Sequence, residues 1–210
     1  MKRTALLGGS FNPAHQGHRK ISLFAAKALG LDEVWWLVSP GNPLKEGAKD
    51  MASALDRMKS ARAQARQSII KPTAIEQQLH TRFTVDTLTE LVRRYPRRRF
   101  IWLMGADNLA QFHLWRDWRQ IARIMPIAVI ARPGYEGASR ASRAMGALRK
   151  SVRPQAQIKQ WTQWRPPALV LLRLPPDTSS ATAIRRANPD WHQHFTPTPV
   201  RDAVSRRMIY

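Results

Sequence analysis

An α/β fold, a mostly parallel sheet with helices on both faces, is what this sequence predicts, on three observations. Apolar runs of strand length recur along the chain, at Arg3–Leu7, Glu33–Val38, Phe100–Met104, Pro126–Ala131 and Ala168–Leu172. Between them lie segments whose apolar residues fall at helical spacing. The first run also passes directly into a glycine-rich turn that opens a helix. Strands buried on both faces read as continuous apolar runs, and their alternation with helices implies parallel crossovers. In such sheets ligands gather outside the carboxyl ends of the strands.

The turn after the first strand is Gly8-Gly9-Ser10-Phe11-Asn12-Pro13-Ala14-His15-Gln16-Gly17-His18. Ile21, Phe24, Ala25 and Ala28 then give one apolar helix face, and Gly30 can close that helix. A strand–turn–helix of this kind leaves backbone N–H groups unspent and adds the positive end of the helix dipole, which makes a phosphate site. Gly8 and Gly9 lack a Cβ, so a ligand is expected to approach the main chain there. His15 and His18 are three apart at the helix start, so both rings can address one anion. The turn has no GK[ST] and no GxGxxG, which excludes a P-loop and a dinucleotide fingerprint.

The remaining elements follow in order. Glu33–Val38 leads into Pro40-Gly41-Asn42-Pro43-Leu44-Lys45, at the carboxyl end of a strand, where Lys45 is the one cation. Asp50 is a plausible N-cap for a helix carrying Met51, Ala54, Leu55, Met58, Ala61 and Ala65. Ile69–Leu79 reads as one strand and its approach. A helix begins at Thr84, with Val85, Leu88, Leu91, Val92 and Tyr95 inward and Pro96 as its stop. Phe100–Met104 runs into Gly105-Ala106-Asp107-Asn108, and Trp115 and Trp118 follow in Phe112–Trp118. Pro126–Ala131 is closed by Arg132-Pro133-Gly134. Ser139–Lys150 reads as a helix with a basic outer face. Arg153–Pro167 reads as a poorly ordered connection with Trp161 and Trp164 packing. After Ala168–Leu172, a motif at 179–185 leads to a last helix carrying Val200, Ala203, Val204 and Met208. The alternation is that of a Rossmann-like sheet.

Length and composition bound the rest. Residues 1–210 are expected to form a single domain, with the region from about 177 to 210 as a small appended part. No apolar run approaches the roughly 18 residues of a membrane span. The apolar run behind Lys2 and Arg3, Ala5 to Leu7, is too short for a secretory signal. The absence of cysteine excludes disulfides, thiolate metal sites and thiol nucleophiles, and a cytoplasmic location is expected. Lys and Arg number 35 against 14 Asp and Glu, a formal charge of +21. Such a surface attracts polyanions, by steering phosphorylated substrates or by binding nucleic acid. Arg93, Arg94, Arg97, Arg98 and Arg99 flank Tyr95-Pro96 and read as a solvated helix end, so no specific nucleic-acid partner is expected.

The turn GGSFNPxHxGH resembles the HxGH signature of the nucleotidylyltransferase superfamily. Phe83-Thr84-Val85-Asp86-Thr87-Leu88, Met104–Asn108, the Trp115/Trp118 pair, Arg132–Gly134 and Ser180-Ala181-Thr182-Ala183-Ile184-Arg185 are similar, in order, to motifs of the nicotinate-nucleotide adenylyltransferase family. The resemblance implies a Rossmann-like nucleotidylyltransferase fold. It also implies transfer of the adenylyl group of ATP, with Mg²⁺, to nicotinate mononucleotide, giving deamido-NAD and pyrophosphate. It assigns His15, His18, Lys45 and Arg185 to catalysis, with no protein metal ligands. ATP is then held by Gly8, Gly9, Ser10, Phe11, His15, His18, Gly105, Asp107, Ser180, Thr182 and Arg185, with Asp107 on the ribose and Gly105 leaving room for the base. The acceptor falls to Asn12, Lys45, Thr84, Val85, Trp115, Arg116 and Arg132. Trp115 faces the pyridine ring there, and the amides of Val85 and Arg116 receive the carboxylate at a helix N-terminus. The family's last motif is usually SSTxIR; here Ala181 replaces the second serine, so a phosphate-binding hydroxyl is lost. Other HxGH enzymes, using phosphopantetheine or nicotinamide mononucleotide, and a non-catalytic nucleic-acid-binding protein are the alternatives. The oligomeric state stays open.

Overall fold

The computed structural model describes residues 1–40, 51–131, 141–174 and 180–210. Strands β1 (Lys2–Gly9), β2 (Glu33–Val38), β3 (Ile70–Thr73), β4 (Arg98–Gly105), β5 (Ile127–Ala131) and β6 (Leu169–Arg173) form one parallel sheet in the order β3-β2-β1-β4-β5-β6. The strand order reverses between β1 and β4, where crossovers leave to opposite faces and open a crevice at the carboxyl edge. Gly8–Gly9 ends one flanking strand and Gly105 ends the other.

Two apolar layers sandwich the sheet. Ala5, Leu7, Val34, Trp36, Ile101 and Leu103 face α1 (Gln16–Leu29) and α2 (Ala54–Ala65). Leu6, Trp35, Leu37, Trp102 and Met104 face the opposite layer, which holds α3 (Ile75–Leu79), α4 (Thr84–Arg94), α5 (Ala106–Gln111), α6 (Trp118–Ile124) and α7 (Arg143–Leu148). The alternation along each strand fills both layers at once, as a doubly covered sheet requires. Gly30 closes α1 in the left-handed conformation, φ 64°. Among the described residues no helix is long and apolar enough to cross a membrane.

Several sequence expectations are corrected. Helix α2 starts at Ala54 on an N-cap from Ser53, whose Oγ accepts the Asp56 N–H at 3.0 Å, so Met51 precedes the helix; Asp50 lies outside the described residues. The stretch Ile69–Leu79 holds strand β3 and then α3, separated by Ala74. Val92, expected inward, is 41 % exposed, while Leu88 and Leu91 are buried. The predicted helix at 139–150 is, among described residues, α7 followed by a 3₁₀ turn at Arg149–Ser151. Residues 155–163 form a 3₁₀ helix, pinned by Trp161, whose Nε1–H donates to Leu29 O at 2.9 Å. The arginine run is only partly solvated: Arg98 turns inward to pair with buried Glu33, which also takes Lys71 Nζ at 2.5 Å.

The expected C-terminal helix is instead a hairpin of β7 (Val200–Arg201) and β8 (Met208–Ile209). The spacing of Val200, Ala203, Val204 and Met208 suits a helix, but Asp202 dictates otherwise. It is fully buried, and its carboxylate accepts from Thr73 Oγ1 (2.9 Å), the Ala74 N–H (2.7 Å), and the Val204 and Ser205 N–H groups (2.8 and 2.9 Å). Four hydrogen bonds to one buried carboxylate outweigh a weak periodic signal.

Glu76 in α3 generates a test. It is buried, and desolvation pushes its carboxyl up from 4.5 to about 7, against the opposing effect of the Thr87 hydroxyl that donates to it at 3.1 Å. A raised carboxyl holds its proton in the fold, so this stability is complete below about pH 4.5 and drains away as pH rises through about 7. Glu76→Gln keeps an uncharged group there. The stability of Glu76→Gln relative to the parent should therefore rise by about 3 kcal/mol between pH 4.5 and 8, read by urea unfolding. A pH-independent difference would show that Glu76 is ionised within the fold.

Candidate active site

The site begins where β1 stops. Phe11 takes a left-handed backbone, φ 50°, and its ring is 1 % exposed. That ring stacks on Trp36 at 5.0 Å and tilts against His18 at 4.8 Å. Trp36 in turn donates through Nε1 to Ser22 Oγ (2.7 Å), which donates to His18 O (2.8 Å). The first turn of α1 is thereby fixed to the end of the sheet.

The two histidines cap α1 reciprocally. His15 is the N-cap and its Nδ1 accepts the Gly17 N–H at 3.2 Å; His18 Nδ1 accepts the His15 N–H at 3.2 Å. A neutral imidazole has one donor and one acceptor nitrogen, so both rings carry their proton on Nε2. Their centroids are 3.9 Å apart. Two Nε2–H donors therefore stand side by side at a helix N-terminus whose first turn holds no acidic residue.

Asn12 is buried, and its Oδ1 accepts the Ala52 N–H at 3.1 Å ahead of α2. Its carbonyl accepts from Arg185 Nη1 at 2.6 Å, which brings α8 (Ala181–Ala187) onto a loop 173 residues earlier in sequence. Ser180 is the N-cap of α8, its Oγ accepting the Ala183 N–H at 3.4 Å, and Thr182 is exposed. Ser10 and the loop glycines are half-buried.

The glycines leave less open space than the sequence suggests. A Cβ on Gly8 would come within 2.7 Å of Trp102 Cη2, and one on Gly9 within 3.3 Å of the Phe11 ring. At Gly105 a Cβ would overlap Oδ1 of Asp107, whose carboxylate folds back over it. These positions make room for neighbouring side chains of the protein itself.

Trp102 joins the loop to the other half of the site. It packs under Gly8, and its ring meets Trp115 edge-on at 6.4 Å. Trp115 is half-buried, whereas Trp118 is core. Arg116 places its Cζ 4.5 Å over the Phe83 ring, so the segments 83–85 and 115–116 meet. Phe83 is the N-cap of α4 and offers no side-chain cap. The N–H groups of Thr84 and Val85 consequently have no hydrogen-bond partner among the described residues. Lys45 and Arg132 lie outside the described residues.

Sequence reading missed Arg57. Its guanidinium is 1 % exposed and reaches the carbonyls of Ser10 and Ser39. The signal was available: Arg57 interrupts the apolar stripe of α2, between Ala54 and Ala61.

Fold and loop together define an α/β nucleotidylyltransferase. The cytidylyltransferase-like family model matches residues 6–187. A probable nicotinate-nucleotide adenylyltransferase of Erythrobacter litoralis is 60 % identical over 208 residues, 99 % of this chain and 94 % of that one. Another, from Parvibaculum lavamentivorans, is 49 % identical over 183 residues, 87 % of this chain and 90 % of the relative. A solved Plasmodium falciparum nicotinic acid mononucleotide adenylyltransferase complexed with NaAD is similar with a TM-score of 0.63 at 16 % identity, covering 89 % of this chain and 83 % of its own. The chain belongs to the nicotinate-nucleotide adenylyltransferase family.

The cap that His18 provides can be separated by mutation from the catalytic role expected of it. His18→Ala should lower kcat by about 10²-fold, as the loss of one preorganised donor does. It should also cost about 1 kcal/mol of stability, because the His15 N–H loses its cap. His18→Gln can restore that cap, so it should unfold like the parent and still turn over slowly. A stable, fast His18→Gln variant would remove the imidazole from the chemistry.

Proposed function

We propose that the chain transfers the adenylyl group of ATP to nicotinate mononucleotide, giving deamido-NAD and pyrophosphate. The observation that carries the choice of acceptor is the uncapped N-terminus of α4 against Trp115 and Arg116. The free N–H groups of Thr84 and Val85 and the positive end of an eleven-residue helix favour a carboxylate over a neutral carboxamide. Trp115 offers a ring face to the pyridine beside it.

A phosphate oxygen of the acceptor attacks the α-phosphorus in line and pyrophosphate leaves. No bond to the protein forms, so catalysis is alignment and neutralisation of developing charge. His15 and His18 donate from Nε2 to the phosphate oxygens, and Lys45 and Arg185 draw off the charge of the leaving pyrophosphate. Asp107 accepts from the adenosine ribose; Ser180 and Thr182 offer hydroxyls to the phosphates. Asn12 and Arg132 complete the acceptor side.

Among the described residues no three His, Asp or Glu cluster to hold a metal, and the Nδ1 atoms of both histidines are engaged by backbone N–H groups. That donor set fits a Mg²⁺ that arrives on the triphosphate, which is how this ion is commonly bound. MgATP is accordingly the substrate.

Pyrophosphate release should be measured with nicotinate mononucleotide, nicotinamide mononucleotide and phosphopantetheine. The nicotinate form should win over the nicotinamide form by up to about 10⁴-fold in kcat/KM, since the wrong acceptor leaves buried donors unpaired. Equal use of the two would refute an acid-selective site. In the same assay Arg185→Lys should lose about 10-fold in kcat/KM for ATP, because an ammonium cannot span two phosphate oxygens as a guanidinium does. An unchanged value would detach α8 from the triphosphate.

A further inference from the structure

Arg57 carries a full charge into the core, and no carboxylate pairs with it among the described residues. Its Nη1 donates to Ser10 O (2.8 Å) and Ser39 O (2.7 Å), its Nε to Ala52 O (3.1 Å), and its Nη2 to Pro40 O (3.4 Å). Every acceptor is a backbone carbonyl. Burial lowers its pKa from the ordinary arginine value, yet an arginine stays charged at neutral pH. A buried cation balanced only by dipoles is costly, and removing it would strand the carbonyls it serves.

The position of those carbonyls gives the charge its meaning. Ser10 is the first residue beyond β1, and Ser39 the first beyond β2, where the Ser39 N–H still pairs with Gly9 O at 3.0 Å. Arg57 therefore bridges the two strand ends just where their ladder stops. The Ser10–Phe11 peptide is trans, so its C=O and N–H point in opposite directions. Holding Ser10 O on Arg57 turns the Phe11 N–H away from Arg57 and sets the plane of the turn that leads to Asn12 and the histidines. The Phe11 N–H itself has no hydrogen-bond partner among the described residues.

We propose that Arg57 is a positioning residue for the triphosphate, holding the Ser10–Phe11 peptide in place and setting an uncompensated positive charge beneath the phosphate loop. This rests on the reading of that loop as the ATP phosphate site. Arg57 touches no substrate; it acts through the loop and through its field, which a dry interior screens weakly. Lysine could keep the charge, but it cannot serve Ser10, Ser39 and Ala52 together from one planar fork.

The test compares the parent with Arg57→Lys and with Asp202→Asn, a variant that weakens the buried anchor of the C-terminal hairpin and leaves the Arg57 hydrogen bonds in place. Affinities for α,β-methylene ATP and for adenosine are measured by calorimetry in Mg²⁺. Arg57→Lys should weaken the triphosphate by about 10-fold or more, while adenosine changes by less than about twofold. Asp202→Asn should melt earlier and bind both ligands as the parent does. A folded Arg57→Lys with parental triphosphate affinity, or with equal losses for both ligands, overturns the proposal. A readout on the parent protein covers the case in which Arg57→Lys does not fold. The Ser10 and Phe11 amide resonances should shift on addition of Mg²⁺–tripolyphosphate, and silence at both overturns the proposal. If the parent binds α,β-methylene ATP in this way but makes no deamido-NAD, the acceptor reading fails and the role of Arg57 stands.

Discussion

The candidate site depends on holding Phe11 in a backbone conformation that its side chain disfavours. A left-handed residue with a Cβ costs about 1–2 kcal/mol. Burying a phenylalanine ring returns about 1.5–3 kcal/mol. Here the ring is enclosed by Trp36 from β2 and His18 from α1, so burial wins and the turn is locked. Its consequences spread outward. With the turn fixed, His15 becomes the helix cap, His18 becomes the partner that caps the cap, and both imidazoles present the same nitrogen. The orientation of the two imidazoles thus follows from backbone accounting before any ligand is considered.

The sheet has a polarity that its buried charges respect. At the amino edge, Glu33 is buried with Thr4, Lys71 and Arg98 around it, a carboxylate closed off by cations. At the carboxyl edge, beside the loop, the guanidinium of Arg57 is buried and faces carbonyls alone, while the Asp202 carboxylate is buried at the end of β3 among N–H and hydroxyl donors. One end of the sheet is electrostatically satisfied within the protein. The other leaves the charge of Arg57 without a carboxylate partner among the described residues, beside the loop where phosphates are expected. The formal charge of +21 is therefore not a uniform coat: Arg98 closes the amino edge, while Arg93 and Arg94 are engaged by Glu90.

What could be read from the sequence was whatever a short window encodes. Continuous apolar runs found the five main strands, and glycine spacing with two histidines found the loop. Periodicity failed where a distant partner decides: Asp202 is drawn to Thr73 and Ala74, so residues 200–209 fold as a hairpin. Arg57 was passed over because its stripe position resembles a helix surface until the carbonyls that surround it are known. Gly8 has a second reason to lack a side chain that no local window shows, since Trp102 on another strand fills the space a Cβ would need. The strand order, and with it the crevice between β1 and β4, is also invisible to local pattern, because alternation fixes parallel pairing without saying which strands adjoin.

Both borders of the main sheet are poor templates for pairing with another copy of the chain. On one side β3 is four residues long and carries Pro72, which has no N–H to give. On the other, the Arg153 N–H bonds Leu169 O at 2.7 Å and Gln155 Nε2 bonds Leu171 O at 2.8 Å, so two outward carbonyls of β6 are already spent. Among the described residues, edge-to-edge pairing through the main sheet is therefore disfavoured.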